Sequence, residues 1–230
     1  MEVDFPAGRR LKILPHRVTR NRRPPHVHER EYLEAILAHL RPGMVVYDVG
    51  AEEGEFTALV AREVGGANVH IIEPSAKYWP NIRAVWEGNV EGDPGSSLVA
   101  FASDETRGYP AVMTPWPLES IGPLLLEGEF GSLTEHPHIP AIRIDGLAEV
   151  RTPPAVIMID VEGSEGQVLA GAERVLHDHR PTVFLSLHPN SWLARYGWSH
   201  ARLFAFVRDL GYGIRYISSD HETHLELRPL

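Results

Sequence analysis

From residue 29 onward, two rhythms of apolar residues take turns along the chain. Leu33, Ile36, Leu37 and Leu40 recur at helical spacing and predict a helix over 29–40, stopped by Pro42 and Gly43. The next run, 44–49, is short, apolar and β-branched, as expected of a strand buried on both faces. A glycine-bearing turn over 50–54 follows, then a helix over 55–64 with Phe56, Leu59, Val60 and Val64 on one side. The pattern repeats as a strand over 69–73, a helix over 76–87 and a strand over 97–102. After residue 138 it resumes with strands over 141–144 and 155–160, a helix over 164–178, a strand over 182–187 and a helix over 199–210. Two closing strands, 213–217 and 223–227, flank a short turn over 218–221 and read as a hairpin. Strands and helices in strict alternation with tight turns build parallel sheets with right-handed crossovers. The expected fold is therefore α/β and Rossmann-like, with a mostly parallel seven-stranded sheet ending in an antiparallel hairpin.

Two stretches fall outside this rhythm. Residues 1–28 are Pro-rich and basic, with Arg9, Arg10, Lys12, Arg17, Arg20, Arg22 and Arg23 uninterrupted by an acid. They read as a solvated arm, or as a clamp over an anionic ligand or partner, preceding a single domain over 29–230. Residues 105–138 carry many Pro and Gly residues with little periodicity, the mark of a substrate-side insertion or lid. The formal charge is −9, from 22 basic and 31 acidic residues, which disfavours nucleic acid as a partner. The absence of cysteine excludes disulfides and thiol chemistry. With no apolar run long enough for a membrane span and no apolar signal core, a cytoplasmic location is expected.

The first turn narrows the chemistry. Asp48, Gly50 and Gly54 bracket a strand-to-helix turn, and Glu73 ends the next strand. Dinucleotide-binding folds place a G-x-G-x-x-G run here for a pyrophosphate. This chain puts Asp48 near the place of the first glycine, where an acid repels phosphate and suits a cation. S-adenosylmethionine carries both an ammonium and a sulfonium. Gly50 would let backbone approach such a ligand, Glu73 could accept the ribose hydroxyls, and Asp104 could approach the adenine edge or the ribose. Asp48, Gly50, Gly54, Glu73 and Asp104 are thus the candidate cofactor-binding residues. A nicotinamide-dependent oxidoreductase and a non-catalytic cofactor-binding module of the same fold are the alternatives.

Three segments resemble the FkbM family of methyltransferases: residues 46–54, the triplet Ile72-Glu73-Pro74, and above all Ile159-Asp160-Val161-Glu162-Gly163-Ser164-Glu165 with Val168-Leu169-Ala170-Gly171-Ala172 behind it. The resemblance spans roughly residues 44–188. The chain departs from the family pattern at Met158, where lysine is frequent, and at Ser186-Leu187-His188, where a glutamate often precedes the histidine. The resemblance implies a class I methyltransferase fold and methyl transfer from S-adenosylmethionine, usually to a hydroxyl oxygen of a sugar or natural product.

A hydroxyl acceptor must be aligned with the methyl group and must lose a proton. Asp160 and His188 end neighbouring strands of the expected sheet and are the candidate catalytic bases. Asp160, Glu162, His188 and His221 have the side chains to hold a divalent metal, with His224 as a substitute for His221. Trp116, Trp192, Tyr196 and Trp198 flank the same rim and could stack on a sugar or pack in the core.

Overall fold

The chain opens on a hairpin of β1 (Glu2–Phe5) and β2 (Arg9–Lys12), followed by a short helix α1 (Pro15–Arg20). Helix α2 (Arg30–His39) leads into β3 (Val46–Val49), α3 (Glu55–Val64), β4 (Val69–Ile72), α4 (Trp79–Asn89) and β5 (Ser96–Leu98). Then come β6 (Phe101–Ala102), β7 (Ala141–Ile142), α5 (Ile144–Val150), β8 (Val156–Ile159), α6 (Glu165–Gly171) and α7 (Glu173–Asp178). The chain closes with β9 (Thr182–Leu187), α8 (Asn190–Leu193), α9 (His200–Asp209), β10 (Tyr212–Ser219) and β11 (Thr223–Pro229). This computed structural model describes residues 2–20, 29–108, 116 and 138–230.

Seven strands form one sheet in the order β10-β11-β9-β8-β3-β4-β5. Only β11 runs against its neighbours, pairing antiparallel with both β9 and β10. The expected mostly parallel sheet with a C-terminal hairpin is what the structure has. Strands β3, β4, β8 and β9 are buried along their whole length, which is why they read as unbroken apolar runs. One core layer lies between the sheet and α2, α3, α4 and the N-terminal hairpin, and the other lies under α5, α6, α7 and α9. From β3 the chain winds outward through β4 to β5, then crosses back to β8 and winds the other way. The reversal falls between β3 and β8, and open α/β sheets take ligands outside the carboxyl ends of the strands at such a point.

Three expectations are corrected. The strand expected over 97–102 is split: β5 stays in the main sheet, whereas β6 leaves it to pair with β7. The helix expected over 164–178 breaks at Ala172. There Gly171 packs so closely on the Ser103 carbonyl that a Cβ would collide with it. Helix α5 lies where only a strand was expected, and the buried Asp145 holds it to α7 by accepting a hydrogen bond from the Val175 amide (3.0 Å).

The described part of the N-terminal segment is not a solvated arm. Val3, Phe5, Leu11 and Ile13 are buried in the core. Its cations pair with acids of the same chain: Arg9 with Glu63 (2.7 Å), and Arg17 with both Glu55 (2.7 Å) and Glu52 (3.1 Å). Residues 21–28 lie outside the described part. Arg17 is 13% exposed and Glu55 4%. Removing one partner of a buried pair strands the other's charge, at about 3–5 kcal/mol where burial is complete. Arg17→Ala is therefore expected to cost about 2–3 kcal/mol in chemical denaturation, and adding Glu55→Gln to it is expected to restore part of the loss. Equal losses in the single and double variants would show that the pair does not act as a unit.

Candidate active site

The donor side of the crevice is built on the turn after β3. The Gly50 amide donates to the Ile72 carbonyl and the Asp160 amide to the Val49 carbonyl, each at 2.9 Å, locking the tips of β3, β4 and β8 together. Gly50 has φ +91°, and a Cβ there would fall on the Asp160 carbonyl oxygen. The glycine is thus required by the close approach of the chain leaving β8, a reason the sequence did not supply. Gly54 starts α3 at φ +85° with its α-carbon against Ile82.

Asp48 and Glu73 lie buried beneath this turn. Asp48 accepts a hydrogen bond from the Thr57 hydroxyl (2.5 Å). Glu73 accepts from the amides of Ser75 (2.7 Å) and Glu52 (3.1 Å). Among the described residues neither carboxylate has a basic partner within ion-pair distance. Burial raises Asp48 to about 6 against the pull of Thr57. Burial also raises Glu73 to about 8, against the Ser75 and Glu52 amides and with help from the charges of Glu52 and Asp48. Two buried carboxylates without a counter-cation fit a donor that brings positive charge with it. Asp104 follows β6, is exposed, and accepts hydrogen bonds from Ser103 (3.1 Å) and, at 3.5 Å, from Gln167 of α6.

The raised Glu73 has a consequence for stability. Its carboxyl holds a proton more tightly folded (about 8) than at its ordinary 4.5. The stability this supplies is full below pH 4.5 and is lost as pH rises through 8. The melting temperature of the ligand-free protein is expected to fall between pH 5 and 9 more steeply than that of Glu73→Gln, which stays neutral throughout. Parallel pH profiles for the two proteins would contradict the assignment.

A second cluster of the crevice is centred on His188, just after β9. Its Nδ1 lies 2.6 Å from Glu165, and its Nε2 faces Glu222 (2.9 Å), Glu162 (3.3 Å) and Asp160 (3.8 Å). The ring stacks on Trp192, with centroids 5.3 Å apart. Burial alone would push the imidazole down. Hydrogen bonds to Glu162, Glu165 and Glu222 and the charge of Asp160 overcome it and push it up to about 12. His188 is therefore held as an imidazolium at neutral pH, a poor proton acceptor. Asp160 keeps 45% of its side chain in contact with solvent, yet sits deep enough that burial and then Glu222 raise it well above the carboxylate range. Glu162 holds the left-handed conformation (φ +54°) that carries its carboxylate back over the strand end.

The sequence-based set is thus partly brought together. Asp160, Glu162 and His188 meet, whereas His221 is mostly exposed and pairs with Asp220 (2.8 Å) and Glu222 (3.2 Å). Sequence reasoning meets Glu165 only as the last residue of the Ile159–Glu165 motif, and it misses Glu222 and Glu29. Glu29, raised to about 8 by burial and then by Glu222, joins the same crevice. Of the four aromatics, Trp192 alone contacts His188. Trp198 is buried against Gly166 and Phe206, and Tyr196 packs on the second core layer. Trp116 lies on Trp86 and donates to Asp93 (2.9 Å), at the opposite end of the sheet. The rest of the expected lid, 109–115 and 117–137, lies outside the described residues. No described helix is long and apolar enough to cross a membrane.

The family model of the methyltransferase FkbM domain matches residues 48–214. No curated protein matches the sequence. Among solved structures, the methyltransferase FkbM from Methylobacillus flagellatus KT is 18% identical, with a TM-score of 0.48, over 85% of this chain and 50% of its own. This chain therefore spans half the length of that protein. The precorrin-6y C5,15-methyltransferase from Geobacter metallireducens GS-15 is 13% identical, with a TM-score of 0.50, over 86% of this chain and 88% of its own. The magnesium protoporphyrin IX methyltransferase from Synechocystis PCC 6803, solved with bound S-adenosylmethionine, is 16% identical, with a TM-score of 0.49, over 89% of this chain and 81% of its own.

Proposed function

Since the chain belongs to the FkbM family of methyltransferases, we propose that it moves a methyl group from S-adenosylmethionine to a hydroxyl oxygen of a sugar or natural product. The observation that carries this reading is the juxtaposition at the strand reversal, where the Asp160 backbone packs against Gly50 while its carboxylate faces His188 at 3.8 Å. Bound there, S-adenosylmethionine supplies an electrophilic methyl on a sulfonium that leaves as a neutral thioether. Asp48 and Glu73 compensate the positive charge of the donor from below the turn. The ribose hydroxyls fall to Glu73, and Gly54 opens the helix whose first turn closes the site. Asp104, tied to α6, serves the outer edge.

On the acceptor side, Asp160 takes the hydroxyl proton as the oxygen attacks. His188, held protonated by its carboxylates, positions Glu162 and Glu222 around the acceptor, and Trp192 backs the ring. This division of labour fits a displacement whose chief demands are alignment and removal of one proton. The many carboxylates make a neutral or cationic polyol a better acceptor than an anionic one. A divalent metal on Asp160, Glu162 and His188 would lie on this acceptor side and acidify the hydroxyl. No compartment follows from the fold, and a cytoplasmic setting accords with the donor being an intracellular metabolite.

The test is incubation of the purified chain with methyl-labelled donor and a panel of polyhydroxylated acceptors, with carbon NMR of the product. An O-methyl resonance supports the reading. A methyl on nitrogen or carbon, or donor binding without turnover on any acceptor, moves the chain to another methyltransferase class or to a cofactor-binding module.

A further inference from the structure

The turn between β10 and β11 carries a group of side chains that methyl transfer does not use. Asp220, Glu222 and His224 present ligand atoms that all lie within 4.8 Å of one another. Asp220 and Glu222 lie in the turn and His224 in β11, where its ring stacks on Tyr32 of α2 at 4.3 Å between centroids. His224 is fully buried. Its Nδ1 lies 3.3 Å from the Ser186 hydroxyl, which fixes the ring. Its Nε2 has no hydrogen-bond partner and points at Asp220, 3.5 Å from the carboxylate oxygen. Glu222 Oε2 is also buried without a hydrogen bond of good geometry, although His188 Nε2 is 2.9 Å away.

A fully buried ring nitrogen left unpaired and facing a carboxylate is unlike a finished core. A ring nitrogen held by a neighbouring hydroxyl, with the other nitrogen free, is the arrangement in which histidine binds metals. We propose that Asp220, Glu222 and His224 bind a divalent cation. One imidazole with two carboxylates suits zinc or manganese better than magnesium or calcium, which favour oxygen-only shells. The ligand set shares only His224 with the one the sequence suggested, and contains neither Asp160, Glu162, His188 nor His221. It meets the acceptor crevice through Glu222 alone. The cation would fix the hairpin turn at the crevice wall and offset part of the negative charge there.

The proposal does not depend on methyl transfer, and its test needs neither donor nor turnover. The full chain, stripped with chelator, is titrated by calorimetry with zinc, manganese and magnesium salts, and with cobalt followed by visible absorption. One zinc or manganese per chain is expected, bound at least tenfold more tightly than magnesium, with a cobalt spectrum indicating nitrogen ligation. Asp220→Asn keeps the oxygen that accepts from the His221 and Glu222 amides (2.6 and 3.3 Å), so the turn survives. It is expected to weaken zinc binding at least tenfold, as is His224→Gln, while His188→Gln changes it less than threefold. If His224→Gln fails to fold, Asp220→Asn alone decides. No zinc or manganese binding, binding untouched by Asp220→Asn, or loss only in His188→Gln overturns the assignment.

Discussion

Asp160→Asn is expected to lower kcat by about 10²–10⁴-fold, the usual worth of a positioned general base, while the dissociation constant for S-adenosylmethionine shifts less than about threefold. Asparagine keeps the size of the side chain and its ability to hydrogen-bond, so the tip of β8 and its contact with Gly50 are undisturbed. What it cannot do is accept a proton. Burial and Glu222 already raise the Asp160 carboxyl well above its usual range, so the substitution removes a charge that is costly for the fold to hold. The melting temperature is therefore expected to be unchanged or slightly higher. Steady-state kinetics, calorimetry and thermal denaturation on one preparation read all three. A variant with wild-type kcat would remove Asp160 from the reaction. A variant that loses donor affinity instead would move it to the cofactor.

The second large effect is structural. Gly50→Ala is expected to cost more than about 3 kcal/mol, because its Cβ collides with backbone that cannot rotate away. The obstacle is the Asp160 carbonyl, in a parallel strand paired residue by residue with β3. Gly43 supplies the control. It has a similar φ (+84° against +91°) but nothing within 4 Å of where the methyl would stand, so Gly43→Ala measures the conformational cost alone. That cost is about 1 kcal/mol. For a chain of this size the difference corresponds to a melting-temperature gap of roughly 5 °C or more. Equal losses at the two positions would mean that β3 and β8 separate easily at their tips.

Much of the fold is legible in the sequence because the central strands are buried on both faces. Strands 46–49, 69–72, 156–159 and 182–187 appear as apolar runs that need no partner information to recognise. The N-terminal hairpin is hidden by its charge. Val3, Phe5 and Leu11 alternate with polar residues at strand spacing, but the cluster of arginines suggests solvent, and only the fold shows that Glu52, Glu55 and Glu63 come to meet them. Helix α5 is obscured by Gly146 and by its short length.

The site divides along the same line. Asp48, Gly50, Glu73, Asp160 and His188 stand at strand ends, positions that the alternation of strands and helices marks out. Glu222 is harder to find, because it lies in the turn between β10 and β11 and its importance comes from β11 lying antiparallel beside β9, with His224 opposite Ser186. The role of Gly50 is hidden because its close neighbour is Asp160, far away in sequence, rather than a ligand.

The most direct test of the whole account is a calorimetric titration of the chain and of Glu73→Gln with S-adenosylmethionine at pH 7.5. The account requires one donor per wild-type chain and at least a tenfold weaker complex in the variant, because the donor's positive charge draws the proton from Glu73 under the Gly50 turn, a charge that glutamine cannot supply. Absence of binding to the wild-type chain, or equal affinity in the two proteins, would contradict it.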